Sequence, residues 1–172
     1  MRSSRREPAE ASMRVTLIGV GRLKAGPERE LFERYFKRAA DLARALGIAA
    51  VELREIDESR ARRAEDRCAE EARAIRAAVP KGAWLTLLDE RGGPLTSRQW
   101  AEEIGRARDG GVGAYALGIG GPDGLDPTLK TEARSLISFG AMTWPHQLVR
   151  VMATEQLYRA LSILSGRPYH RD

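Results

Sequence analysis

The sequence predicts an α/β domain built on an open, largely parallel sheet flanked by helices. Two observations carry that expectation. Short apolar runs alternate with longer segments of helical spacing, and neither an internal repeat nor a long low-complexity insert interrupts the alternation.

Each element can be justified in order. Val15 to Val20 is a short apolar run followed by glycine, a buried strand handing over to a loop. Glu28 to Leu46 has helical spacing through Leu31, Phe32, Tyr35, Leu42 and Leu46, and Gly47 is a suitable helix stop. Val51 to Ile56 alternates as a half-buried strand. Arg60 to Val79 reads as a highly charged helix ended by Pro80, and Ala83 to Leu88 as the third strand. Gly92-Gly93-Pro94 makes a loop, after which Thr96 or Ser97 can cap a helix running to Arg108 and ended by Gly110-Gly111. Val112 to Ile119 is the fourth strand. Asp126-Pro127 is an N-cap with proline at the first helical position, so a helix is expected from there to Arg134. Ser138 to Trp144 is a short strand or extended loop. Finally, Leu148, Val151, Met152, Leu157, Leu161 and Leu164 give Gln147 to Leu164 the longest amphipathic stripe of the chain, stopped by Gly166 and Pro168.

At 172 residues the chain suits one domain, and a chain of about 150 residues buries roughly 70% of its unfolded surface without needing staples. Residues 13 to 172 are read as that domain, and Met1 to Ser12, polar and without periodicity, as a disordered extension. A single cysteine, Cys68, rules out a disulfide framework within one chain and suits a reducing compartment. There is no apolar run of about 18 residues and no apolar stretch behind the first charges, which points to a soluble cytoplasmic protein. The 29 Lys and Arg against 24 Asp and Glu give a formal charge of +5 and attract polyanions without identifying one. Many of these Arg are interleaved with Glu, as solvated helix faces are.

The last third of the chain concentrates the chemistry. Gly118-Ile119-Gly120-Gly121-Pro122-Asp123-Gly124 follows a strand and precedes a helix, where open α/β sheets bind ligands. Asp123 occupies the position where a dinucleotide fingerprint needs its third glycine, and Gly19-Val20-Gly21 runs into Lys24 in the same way. Neither loop ends in the Lys-Ser/Thr of a P-loop, which argues against a nicotinamide enzyme or an NTPase. The cluster reads equally well as a pair of tight turns. His146 stands at a helix start and suits a cap as well as catalysis, while Glu155 and Arg159 are spaced as a surface pair. Tyr169, His170 and Arg171 are unusual for a frayed end and suggest docking against a partner subunit or a substrate. Two histidines and one cysteine offer neither a metal-ligand spacing nor a nucleophilic triad.

From Met13 onward the chain resembles the RlmH (YbeA-like) group of SPOUT methyltransferases. The carriers are Val15-Thr16-Leu17-Ile18-Gly19-Val20-Gly21-Arg22-Leu23-Lys24, Leu88-Asp89-Glu90-Arg91-Gly92, Ile119-Gly120-Gly121-Pro122-Asp123-Gly124, Pro145-His146-Gln147-Leu148-Val149-Arg150, Glu155-Gln156-Leu157-Tyr158-Arg159-Ala160 and Pro168-Tyr169-His170-Arg171. The resemblance implies a carboxy-terminal deep trefoil knot, against the usual rule that connections do not thread loops. It implies a homodimer that binds S-adenosylmethionine through Leu88, Gly120 and the segment Phe139, Gly140, Ala141, Met142, Thr143 and Trp144. It also implies methylation of N3 of a pseudouridine in 23S rRNA, on assembled ribosomes. On that reading His170 and Tyr169 orient the base or take its proton, and Arg150, Arg159 and Arg171 contact phosphate or imide oxygens. A knotted ribosome-binding assembly factor without turnover is the alternative.

Overall fold

The computed structural model describes residues 12–171, so the expectation of a disordered segment over residues 1–12 lies outside it except at Ser12. Five strands and five helices alternate. They are β1 (Arg14–Val20), α1 (Pro27–Ala45), β2 (Ala50–Ile56), α2 (Ala64–Ala78), β3 (Trp84–Pro94), α3 (Ser97–Asp109), β4 (Ala114–Ile119), α4 (Pro127–Glu132), β5 (Ser135–Ser138) and α5 (His146–Leu164). All strand pairs are parallel and the sheet order is β2-β1-β4-β3-β5. Parallel strands need crossovers, and the crossover helices cover both faces of the sheet. The central strands β1 and β4 are therefore apolar almost throughout.

Side chains alternate between two cores, as the period of a strand requires. Val15 and Leu17 of β1 join Tyr115 and Leu117 of β4 in a core closed by α1, α3 and α5, where Phe32, Trp100, Ile104 and Leu157 are buried. Ile18, Val20 and Leu87 face the opposite way and meet Ile75 of α2 and Leu129 of α4. One carboxylate enters the larger core. Glu103 accepts hydrogen bonds from Thr86, Tyr115 and Ser135, so its charge is distributed over three hydroxyls drawn from three different strands.

Several boundaries differ from the sequence expectation for physical reasons. Helix α2 begins at Ala64 rather than Arg60, because Arg67 Nη1 takes the carbonyls of Ala61 and Arg62 and holds that segment outside the helix. The expected loop at Gly92-Gly93-Pro94 belongs to β3, which shifts register after Leu88 and pairs again at Gly93 and Pro94. Ile137 of β5 is opposite both Leu88 and Gly93. A Cβ on Gly92 would come within 2.5–2.7 Å of the Ile137 backbone, so only glycine permits this approach. Strand β5 is Ser135–Ser138, and of the short strand or extended loop expected over Ser138 to Trp144 the loop is found, because Arg134 N already bonds to Leu85 O and brings the chain back to the sheet earlier. Thr96 caps α3 and exchanges hydrogen bonds with Gln99 in a capping box. Among the described residues no helix is long and apolar enough to cross a membrane.

Candidate functional site

The strands are parallel, so their carboxyl ends gather on one rim of the sheet. The irregular stretch of β3 from Leu88 to Arg91 and the loops that follow β4 and β5 enclose a cavity of about 570 Å³ there. Leu88, Gly120, Phe139, Gly140, Met142, Thr143 and Trp144 all line it, and Ala141 of the same segment does not. Apolar walls come from Leu88, Ile119, Leu125, Ile137 and Val149, and polar groups from Asp89, Asp123, Asp126, Lys130 and His146.

The glycine loop satisfies both of its sequence readings. Gly124 N donates to Gly121 O at 3.0 Å and closes a tight turn, with Gly124 at φ +85° where a side chain would be strained. That same turn is one wall of the cavity. Asp126 caps α4 through Thr128 N at 2.8 Å, and the Thr128 hydroxyl, then its backbone amide, hold the Asp126 carboxyl below its ordinary range. Lys130 of α4 reaches Asp89 at 2.6 Å, tying the irregular stretch of β3 to the helix after the glycine turn. The Cys68 thiol lies 3.5 Å from Asp123 O and 3.7 Å from Gly124 O. Burial, then the nearby carboxylates led by Asp123, push that thiol up and keep it a proton donor. No cluster of His, Cys, Asp or Glu among the described residues is placed to hold a metal ion.

The loop after β5 is held more lightly. Ser138 Oγ donates to Gly140 O at 2.9 Å and accepts from Gly140 N at 3.1 Å. Beyond that turn Met142 is 73% exposed and Trp144 41%. Residues Ile137 to Gly140 also wall a second cavity, about 710 Å³ in volume, bounded by Tyr35 of α1 and by Glu155, Gln156 and Arg159 of α5.

The tail packs beside this second cavity. Tyr169 Oη donates to Glu155 Oε1 at 2.9 Å, its ring meets Tyr158 edge-on at 4.6 Å, and the Arg159 guanidinium lies 4.8 Å from its centroid. Arg159 also pairs with Glu155, and its Nη1 lies 3.4 Å from His170 Nδ1. The expected surface pair is therefore half-buried and serves as the anchor of the tail. Burial, then hydrogen bonds with Tyr35 and Glu155, push the Tyr169 phenol well above its ordinary range. Neither Tyr169 nor His170 lines the first cavity.

Arg150 requires a correction. Expected as a phosphate or imide-oxygen contact, it is 2% exposed. Its Nη1 donates to Glu55 Oε1 at 2.8 Å and its Nη2 to the carbonyls of Val20 at 2.9 Å and Gly21 at 2.8 Å. A Cβ on Gly19 would sit 2.6–2.7 Å from the guanidinium, so the glycine of that strand makes room for it. The side chain clamps α5 to the ends of β1 and β2 and has no face towards a nucleic acid. His146, by contrast, does line the cavity, 3.8 Å from Glu58. Sequence reasoning missed the Asp89–Lys130 and Arg67–Asp123 pairs, whose partners stand too far apart in the chain for spacing to reveal them.

A family profile described as "Predicted SPOUT methyltransferase" matches residues 13–170. The chain is 57% identical over 159 residues to a protein of Methylobacterium nodulans named "Ribosomal RNA large subunit methyltransferase H", covering 92% of this chain and 98% of the relative. A protein of the same name from Bradyrhizobium sp. (strain ORS 278) is 54% identical with the same coverage. Among solved structures, a probable methyltransferase from Bordetella pertussis Tohama I has a TM-score of 0.48 and 13% identity, covering 88% of this chain and 96% of that one. With the profile spanning nearly every described residue and relatives this similar along almost their whole length, the chain belongs to the SPOUT methyltransferase family.

Proposed function

We propose that this protein is a large-subunit ribosomal RNA methyltransferase that takes its methyl group from S-adenosylmethionine and places it on N3 of a pseudouridine in 23S rRNA of assembled ribosomes. The observation that carries the reading is the convergence of the irregular stretch of β3 and the loops after β4 and β5 on one cavity, in a chain whose relatives carry the name given above. The cavity suits this cofactor. Its volume is in the range of ligand pockets, about 300–1,000 Å³, and its walls combine apolar side chains with glycine backbone. It lacks a Gly-rich phosphate cradle, which a cofactor without phosphate does not need, and it carries carboxylates beside which a sulfonium is favoured.

Leu88, Ile119, Leu125 and Phe139 would enclose the adenine, with the backbone of Gly120 and of Phe139 to Trp144 offering polar contacts. When bound, S-adenosylmethionine supplies an electrophilic methyl carbon, whose bond to sulfur breaks as the bond to N3 forms. The chain's own part is to orient the base and to help the imide proton leave. Tyr169 is assigned to the first task across the dimer interface, through its ring and the lone pairs of its oxygen, because its one phenol proton is given to Glu155. His170 and Arg171 are assigned to the base and to RNA phosphate, and Arg159 to holding the tail.

The reading includes a homodimer, a trefoil knot and a cytoplasmic location where ribosomes are found. Met142, Trp144, Leu148 and Leu31 are large apolar side chains left exposed, which burial against a second copy would cover.

The test is incubation with labelled S-adenosylmethionine and ribosomes that lack the modification, followed by reverse transcription across 23S rRNA. A methyl on N3 blocks the pairing edge, so a label and a transcription stop at one pseudouridine are expected. Ribosome binding without label would sink the enzyme reading in favour of an assembly factor.

A further inference from the structure

The turn Gly121 to Gly124 is closed by the Gly124 N to Gly121 O bond and by the fixed φ of Pro122, but Asp123 within it is exposed. A further restraint on that residue comes from outside the cavity. Arg67, on the first turns of α2, forks onto Asp123: Nε donates to Oδ2 at 2.6 Å and Nη2 to Oδ1 at 2.9 Å. Two parallel bonds fix direction as well as distance, which a single charge contact does not. The remaining nitrogen, Nη1, donates to Ala61 O at 3.0 Å and Arg62 O at 2.9 Å. One guanidinium thus joins the segment before α2, the helix and the glycine turn, while lying outside the cavity lining itself. Arg67 also holds the Asp123 carboxyl below its ordinary range, chiefly through the hydrogen bond, so the pair stays charged at neutral pH.

We infer that Arg67 is a positioning residue for the cofactor, acting through Asp123 to preform the glycine wall of the cavity. This inference rests on the cavity being the S-adenosylmethionine site. A preformed wall contributes equally before and during methyl transfer, so its loss should appear in KM and leave kcat alone. A comparable fork on the same helix provides the control. Arg76 Nε contacts both oxygens of Glu132 at 2.9 and 3.0 Å, and its Nη2 reaches Thr128, away from the cavity.

The experiment measures S-adenosylmethionine binding by calorimetry, and kcat and KM on ribosomes, for the full chain and its R67A, R76A, D123A and R67A/D123A variants. R67A should raise the cofactor Kd and KM about tenfold with kcat unchanged. R76A should leave both constants within twofold while lowering thermal stability by a similar amount. On the D123A background, R67A should add no further loss. The inference is overturned if R67A binds like the wild type, if R76A weakens binding as much as R67A, or if R67A costs a further tenfold on the D123A background. Failure of the wild type to bind the cofactor would instead remove the proposed function.

Discussion

Replacing Arg150 by alanine separates a structural clamp from an RNA contact. The wild-type guanidinium makes three charge-assisted bonds, to Glu55 and to the carbonyls of Val20 and Gly21, each ordinarily contributing about 1.5–3 kcal/mol. Their sum overstates the loss. The Glu55 side chain is 29% exposed and rehydrates when its partner goes, and water entering the vacated space recovers part of the two carbonyls. Breaking a buried charge pair costs about 3–5 kcal/mol, and the half-solvated carboxylate places this case near about 3 kcal/mol. In a domain of this size each kcal/mol moves Tm by about 2–4 °C, so R150A should melt about 6–12 °C lower. Calorimetric melting, with and without S-adenosylmethionine, is the assay. A melting point within 2 °C of wild type, together with a weakened affinity for ribosomes, would refute the clamp and restore Arg150 to the RNA-facing set.

Three further outcomes follow from the same geometry. Gly92→Ala places a methyl group within 2.5–2.7 Å of the Ile137 backbone, and strain of this kind in a closed strand crossing should lower Tm by more than 5 °C in a thermal melt. The raised Tyr169 pKa disfavours the phenolate in the folded state. Its share of stability is therefore intact below the unfolded value of about 10 and is lost as pH rises above it towards the higher folded value, so melts from pH 8 to 11 should fall more steeply for wild type than for Y169F. Leu148→Glu on the exposed start of α5 should shift sedimentation towards monomer, and unchanged sedimentation would remove this face from the proposed dimer.

The legible parts of the fold were those governed by short-range rules. Strands β1 and β4 are buried on both faces and announce themselves as apolar runs, and Thr96 and Asp126 cap the helices that their residue types predict. Ser138 to Trp144, expected as a short strand or an extended loop, is a loop beyond Ser138, and its Met142 and Trp144 serve the cavity and the surface. Gly92-Gly93-Pro94 has the composition of a loop, and only the tertiary approach of Ile137 turns its end into a strand. For Arg150 the expected phosphate or imide-oxygen contact came from the resemblance, and nothing local could show that Glu55, far earlier in the chain, would claim it. The tail was legible as chemistry without an address, since its docking depends on Glu155 and Arg159 lying one helical turn apart on a half-buried face.

The sheet has two open sides, and neither invites another strand. On β2 the residues Glu52 and Arg54 are charged and engaged with Arg14 and with Ala78 O. At the opposite end β5 has only four residues, too few to template a long pairing. Neither edge favours lengthening of the sheet by a second copy. Any pairing between copies falls to helices and loops, which leaves the rim where the cavity opens free to be shared rather than walled off.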